Sequence, residues 1–275
     1  MAYGSGRRVE GVSPAGSGRR VSGISPVGAA RRVSITGAAR EGAVGLIFPR
    51  RCPVCGDIVR PKGRLICPEC VKRLSYVSGA TCLKCGKELT DQIGEYCLGC
   101  SRHRRTFDRG VALLNYNEVS ADSMVQIKYK NKREYLDFYS DEIVRRLGGK
   151  LARMKADVLM PVPVHPSRKR ARGYNQAEEL AKRLSGLMGI PLCTDVLVRT
   201  RKTLPQKELT PQERLKNLEQ AFGVREEALD TGIRSVLLVD DIYTTGSTME
   251  ACARVLKRAG IQRVYFVSVC IGGDR

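Results

Sequence analysis

The chain has no tryptophan, and its aromatic content is only 5%. A surface that held single-stranded nucleic acid chiefly by stacking bases on rings would have few residues to draw on. Acidic residues are the second scarcity: 28 Asp and Glu stand against 48 Lys and Arg, giving a formal charge of +20. An excess this large favours polyanionic partners, meaning nucleic acid, polyphosphate or phosphorylated small molecules. Long apolar runs are missing too. Nothing approaches the ~18 residues of a membrane span. The apolar patch at residues 43–48 contains a glycine and is too short for the core of a secretory leader. A cytoplasmic, reducing location is the expectation, and there the 11 cysteines are read as metal ligands or buried thiols rather than disulfides.

What the chain does contain falls into three segments. Residues 1–45 repeat with a 12-residue period, in which Arg-Arg-Val recurs at Arg7, Arg19 and Arg31 and Ser-Pro at Ser13 and Ser25. Gly, Ser, Pro and Arg dominate and large apolar residues are few, so no core can form, and a disordered basic tail is expected.

From residue 46 the composition changes. Cys52 and Cys55, Cys67 and Cys70, Cys82 and Cys85, and Cys97 and Cys100 form four Cys-x-x-Cys knuckles, each 15 residues after the last. Thiolates two residues apart on a tight turn share one metal, and two such turns complete a tetrahedral sulfur site. Eight ligands imply two structural zinc ions, and metal binding must supply much of this segment's folding free energy. Consecutive knuckles need only short loops to share a metal, so that pairing is preferred over a crossed one. Gly56 and Gly86 follow the second cysteine of their knuckles, where positive φ would let backbone N–H groups face sulfur. With eight thiolates and two Zn²⁺ the charge falls to about +16, still strongly basic. Cys193, Cys252 and Cys270 lie in apolar contexts and read as buried structural thiols. The pattern resembles a double zinc ribbon over residues 46–104.

Residues 105–275 alternate between strand and helix. Strands are expected at 109–116, 157–164, 195–198, 235–241 and 263–271, with helices at 120–129, 132–147, 175–188, 211–222 and 248–259. That order predicts an α/β fold, a mostly parallel sheet flanked by helices, with its ligand at the carboxyl ends of the strands.

The most informative run is Val236-Leu237-Leu238-Val239-Asp240-Asp241, followed by Ile242-Tyr243-Thr244-Thr245-Gly246-Ser247-Thr248. An apolar strand, a small-residue turn and a helix start offer free N–H groups, hydroxyls and the positive end of a dipole, which make a phosphate cradle. No Lys follows the turn, so this is not the nucleotide-binding P-loop. Two carboxylates beside a bare phosphate would repel it and must serve sugar hydroxyls or a divalent cation. A phosphate and a ribose diol together describe a 5-phosphoribosyl group. The run resembles the phosphoribosyl-diphosphate (PRPP) signature of type I phosphoribosyltransferases. The resemblance implies that Asp240 and Asp241, the candidate catalytic residues, hold the ribose 2- and 3-hydroxyls, with Thr244, Thr245, Gly246, Ser247 and Thr248 around the 5-phosphate.

Two further elements handle charge. The first runs from His165 to Gln176 and contains Arg168, Lys169, Arg170 and Arg172. Asn175 and Glu178 form a capping-box pattern, which places these cations at a helix start, where the dipole disfavours them until an anion arrives. They are the candidate diphosphate grip. The second contains Arg199, Arg201, Lys202 and Lys207 with no apolar anchor except Leu204, and suits a lid that closes over the diphosphate.

The zinc knuckles, Met160-Pro161-Val162-Pro163, Arg172-Gly173-Tyr174-Asn175-Gln176, the segment around Arg214 and Asn217, and the PRPP run occur in the order found in the ComF family, which the chain resembles over residues 46–275. The resemblance implies a zinc module joined to a phosphoribosyltransferase-like domain, with PRPP and Mg²⁺ as ligands, and Lys128, in Ile127-Lys128-Tyr129-Lys130, matches a basic position after the first strand in that family. It also implies an association with single-stranded DNA and the DNA-uptake machinery of natural transformation. Two functions follow as expectations: Mg²⁺-dependent phosphoribosyl transfer with release of diphosphate, or non-catalytic single-strand binding on the same scaffold. No residue announces the acceptor.

Overall fold

The computed structural model describes residues 49–89, 94–200, 218–230 and 232–272. In chain order the elements are α1 (Pro68–Lys72), α2 (Leu98–Arg102), β1 (Arg109–Asn115), α3 (Glu118–Tyr129), α4 (Tyr135–Arg153), β2 (Val158–Pro161), α5 (Pro166–Arg172), α6 (Gln176–Met188), β3 (Leu197–Arg199), β4 (Phe222–Val224), β5 (Ser235–Tyr243), α7 (Ser247–Arg258) and β6 (Arg263–Ile271). Four strands form a parallel sheet in the order β1-β6-β5-β2. β5 lies inside this sheet, which is why residues 236–239 read as an unbroken apolar run: parallel strands are covered on both faces.

The alternation of β5 decides where everything else sits. Leu237 and Val239 join one core with Leu136, Tyr139 and Ile143 of α4 and Leu180 and Leu184 of α6. Val236 and Leu238 join a second core with Met249, Ala253 and Leu256 of α7. The ribbons divide in the same way. Cys52 and Cys70 belong to the first core, and Cys82, Cys85 and Cys97 to the second.

The ribbons also cover the outer edge of β1, whose unpaired N–H and C=O groups would otherwise invite another strand. Val77 donates to the Leu113 carbonyl at 3.0 Å, Asn115 to Ser75 at 2.7 Å and Gly110 to Lys84 at 2.8 Å. Gly86 marks the closest approach. A Cβ there would lie 2.6 Å from the Gly110 carbonyl oxygen, and the residue adopts φ 76°.

Three elements depart from expectation. The helix expected to stop at 147 runs on to Arg153 through Gly148 and Gly149. Two interior glycines cost about 1 kcal/mol each, but Leu151 in the next turn is fully buried, which offsets that cost at ~1.5–3 kcal/mol per large apolar side chain. The helix expected to reach 222 ends earlier. Residues 211–217 lie outside the described residues, Leu218 and Glu219 are helical, and Phe222 opens β4. Phe222 is buried, and β4 pairs antiparallel with β3, so burial against a partner strand decided its conformation. The strand expected at 195–198 is displaced to Leu197–Arg199 by the same pairing. The tail, residues 1–45, lies outside the described residues.

Candidate functional site

The cysteines assemble in consecutive pairs. Cys52, Cys55, Cys67 and Cys70 form one group and Cys82, Cys85, Cys97 and Cys100 the other, each with its sulfurs within 4.8 Å of one another. Tetrahedral zinc with Zn–S near 2.3 Å sets sulfurs about 3.8 Å apart. Cys55 and Cys67 stand at 4.0 Å, and Cys85 and Cys97 at 3.6 Å. Each four-thiol site therefore fits one zinc ion, two in all. Hydrogen bonds among the crowded thiols, that from Cys100 first, drive Cys82 far below the ordinary thiol range and, in return, push Cys85 and Cys100 far above it. Gly56 and Gly86 have the expected positive φ. Their N–H groups, however, donate to the carbonyls of Cys52 and Cys82 rather than to sulfur, because the tight turn brings those oxygens closer. Cys252 and Cys270 are fully buried, whereas Cys193 is only half-buried.

At the carboxyl end of β5 the two acids part company. Successive side chains of a strand point to opposite faces. Asp241 is 5% exposed, forms an ion pair with Lys128 of α3, and accepts from Gln176 Nε2 of α6 at 3.2 Å. Burial would raise its pKa, but the Lys128 charge and hydrogen bond bring the carboxyl below its ordinary range. Asp240 is half-buried and accepts from the Asp241 N–H at 2.9 Å. Burial and then the Asp241 charge push Asp240 well above the carboxylate range. The two adjacent carboxyls are thus shifted in opposite directions.

The turn that follows is open at its tip, where Thr244 and Thr245 are exposed. Gly246 caps α7 at φ 77° and brings no capping side chain. A Cβ at Gly246 would lie 2.3 Å from the Tyr243 hydroxyl. Tyr243 is itself fixed by stacking on Phe266, with centroids 4.9 Å apart. Thr245 Oγ1 lies 3.0 Å from Ser247 Oγ, so hydroxyls line the turn beside the helix start.

The basic elements are arranged differently from the sequence expectation. Arg168 to Arg172 do not crowd the start of α6. They form α5, which ends in a left-handed turn at Gly173 with φ 79°. Arg170 and Arg172 therefore sit in the last turn of a helix, where the dipole favours cations, and no anion is needed to relieve them. The capping box is also incomplete. Asn175 caps α6 by accepting from Ala177 N–H, but the Glu178 carboxylate pairs with Lys169 at 3.1 Å and Lys182 at 2.9 Å.

Arg168 and Arg170 are exposed. Arg172 is engaged: its guanidinium lies 5.0 Å from the Tyr129 ring centroid and donates to Gln176 Oε1 at 3.1 Å and to the Tyr129 hydroxyl at 3.3 Å. Tyr129, Arg172, Gln176, Asp241 and Lys128 thus form one connected network.

Of the four lid residues, Arg199 stands in β3, half-buried, with its guanidinium 5.1 Å from the Phe222 ring centroid. Burial first and then the charge of Arg168 lower its pKa, while Cys252 and Asp240 act in the other direction. Arg199 of β3 thus feels the charges of Arg168 and of Asp240, which come from two other elements. Arg201, Lys202 and Lys207 lie outside the described residues.

Two contacts were not anticipated. Glu250 in the first turn of α7 is 1% exposed and accepts from Thr106 N–H at 2.8 Å and Thr106 Oγ1 at 2.6 Å, with Arg254 closing the pair at 2.8 Å. Arg105 donates to the Thr245 carbonyl at 2.8 Å. The segment leaving the second ribbon thus grips the turn after β5 and the first turn of α7. The i, i+4 spacing of Glu250 and Arg254 was visible in the sequence, but their partners at 105 and 106 were not.

Comparison with known proteins agrees with this two-part architecture. Residues 43–101 match the double zinc ribbon domain and residues 166–275 the phosphoribosyl transferase domain. Competence protein F of Haemophilus influenzae is 29% identical over 167 residues, covering 58% of this chain and 71% of that protein. The DNA utilization protein YhgH of Escherichia coli is 33% identical over 114 residues, covering 42% of this chain and 49% of that protein. Competence protein ComFC of Bacillus subtilis is 27% identical over 149 residues, 54% of this chain and 58% of that protein. The chain thus spans about half the length of YhgH. Among the described residues no helix is long and apolar enough to cross a membrane. A double zinc ribbon joined to a phosphoribosyl transferase domain, homologous to competence protein F, ComFC and YhgH, is consistent with the ComF family.

Proposed function

We propose that the chain binds PRPP at the carboxyl end of β5 and transfers its phosphoribosyl group with release of diphosphate. The observation that supports this most is the succession there of Asp240 and Asp241, the hydroxyl-lined turn 244–248 and the start of α7. Asp240 and Asp241 would position the ribose hydroxyls, Asp241 being oriented for that task by Lys128 and Gln176. Thr244 to Thr248 and the first N–H groups of α7 would take the 5-phosphate. Arg168 and Arg170 would attract the diphosphate, with Arg172 acting through Gln176, and the segment 199–207 would exclude water. Mg²⁺, when bound with PRPP, would share the charge of the leaving diphosphate. Such an activity suits a cytoplasmic protein divided into a basic tail (1–45), a zinc module (46–104) and a transferase-like domain (105–275).

Calorimetry with PRPP, with and without Mg²⁺, tests the site. Asp240→Asn combined with Asp241→Asn should abolish binding in protein that still folds, although Asp241→Asn takes the charged partner from Lys128 and lowers stability. Unchanged affinity in the folded double variant refutes the assignment.

A second reading is favoured by the +20 charge and by relatives named for competence and DNA utilization. In it the chain binds single-stranded DNA, in company with the DNA-uptake machinery, and does not turn over. A screen for diphosphate release over nucleobases, amines and single-stranded DNA separates the two. Release that depends on Asp240 is expected of the transferase and not of the binder.

A further inference from the structure

Between the second zinc ribbon and α7 lies a cleft of about 690 Å³, lined by Lys84, Tyr96, the zinc-site Cys100, Arg104, Arg105, Thr106 and Arg254. Four of these seven residues are cationic, but their states differ. Arg254 is neutralised by Glu250 at 2.8 Å and Glu219 at 2.6 Å. Among the described residues no carboxylate pairs with Lys84, Arg104 or Arg105. Lys84 rests over the Phe107 ring at 5.7 Å, and Arg104 is exposed. Arg105 gives one nitrogen to the Thr245 carbonyl while its Nε is buried with no hydrogen-bond partner. A buried guanidinium N–H left unpaired costs free energy that a phosphate oxygen would recover. Tyr96, also in the lining, is 49% exposed.

We propose that this cleft binds the phosphodiester backbone of a single nucleic-acid strand, and that Arg105 transmits its occupancy to the cradle turn. The inference rests on the nucleic-acid half of the function proposed above and gives it a place. Cations beside one exposed aromatic are the elements that hold a single strand, since phosphates take the charge and a base face takes the ring. A duplex hides its base faces and gains nothing from Tyr96. The link to the turn is short and direct. Arg105 and Thr106 are consecutive, one holding the Thr245 carbonyl and the other Glu250 in the first turn of α7. A phosphate that draws Arg105 into the cleft acts on the segment read as the 5-phosphate cradle.

The test uses the zinc-loaded full chain and a fluorescein-labelled 15-mer of thymidylate, followed by anisotropy across a salt series. The paired change Lys84→Gln/Arg104→Gln should weaken binding about tenfold at 0.1 M salt and reduce the log–log salt slope by about 1.4, at ~0.7 per phosphate contact. The charge-matched control Lys150→Gln/Arg153→Gln, on the exposed end of α4, should bind as the wild type does. Hydrogen exchange of residues 244–248 should slow or quicken on adding the strand in the wild type. It should not respond in Arg105→Lys, which keeps the charge but lacks the guanidinium fork. If the wild type binds no strand, both this proposal and the nucleic-acid reading fall. If it binds and the control pair loses as much as the cleft pair, the cleft assignment alone falls. An exchange response identical in wild type and Arg105→Lys removes Arg105 as the link. Neither arm depends on PRPP binding.

Discussion

Replacing Lys128 with methionine should destabilise the fold by about 3–5 kcal/mol at neutral pH, the cost of leaving one member of a buried ion pair without its partner. Burial on both sides is what makes the cost large. The Lys128 side chain is 19% exposed and that of Asp241 6%. Methionine keeps the length of the side chain and fills its space, so loss of charge is the main perturbation. Gln176 remains on Asp241 Oδ1, but a neutral amide does not compensate a buried carboxylate.

The pH dependence supplies the sharper test. In the wild type the Asp241 carboxyl is held below its ordinary range. Its contribution is therefore fully present above the unfolded pKa near 3.9 and is lost as pH falls through the folded value. In Lys128→Met, burial dominates and the folded pKa rises above the unfolded one. The sign then reverses: stability is greatest at acid pH and is lost as pH rises through the raised value. Asp240, raised in the wild type as well, adds a slope of this second kind to both proteins. Urea unfolding of zinc-loaded protein from pH 5 to 8 should show a gap that widens with pH. Adding Asp241→Asn to Lys128→Met should restore most of the loss, closing a double-mutant cycle. A destabilisation below ~1 kcal/mol at pH 7, or a gap that does not change with pH, refutes the role assigned to this pair.

Elemental analysis should find two zinc ions per chain, and a chelator should remove them in two phases. The group containing exposed Cys55 should empty before the one in which three of four cysteines are buried; a single phase contradicts the difference in burial. Gly246→Ala should lower stability by at least ~1–2 kcal/mol for the left-handed backbone, with further loss from the contact with the Tyr243 hydroxyl, read as a fall in Tm. Glu250→Ala should cost about 1–3 kcal/mol, because the Thr106 N–H and hydroxyl lose a buried acceptor while Arg254 keeps Glu219. Glu250→Gln should cost less because it keeps a hydrogen-bonding side chain there.

Elements that carry their own local code were legible before the structure. The strand at 263–271 and the apolar start of β5 are defined by β-branched and apolar residues bounded by charge. The zinc knuckles are defined by spacing alone, and their consecutive pairing followed from loop length. The failures share a cause: a distant partner overrode a local preference. Gly148 and Gly149 read as a stop until Leu151 finds the core, and Phe222 read as helical until β3 offers an edge. The candidate site was half legible for the same reason. Asp240, Asp241 and the Thr-Thr-Gly-Ser-Thr turn are contiguous. The network that orients Asp241 joins Lys128, Tyr129, Arg172 and Gln176, and no local pattern pairs residues so far apart. Nor does a run of six residues say that its two acids face opposite sides of a sheet, one paired and the other not.

The placement of the ribbons gives the metal a role beyond holding its own loops. Each ribbon buries cysteines in a different core, one on the α4–α6 face and one on the α7 face. Between them they cover the free edge of β1 through Gly110, Leu113 and Asn115. The exit from the second ribbon then runs directly into Arg105 and Thr106, which hold the turn after β5 and the first turn of α7. Thiolate–zinc bonds would thus fix a segment whose far end holds the turn after β5. Loss of the second zinc would free Cys97 and Cys100, only a few residues before Arg105. The carbonyl of Thr245 would then lose a donor whose position depends on that site. The first zinc has no such short path, since its core is the one that supports α4 and α6. The two metals are chemically alike, yet the fold connects them to different consequences: the first to the packing of α4 and α6, the second to the turn that would receive phosphate.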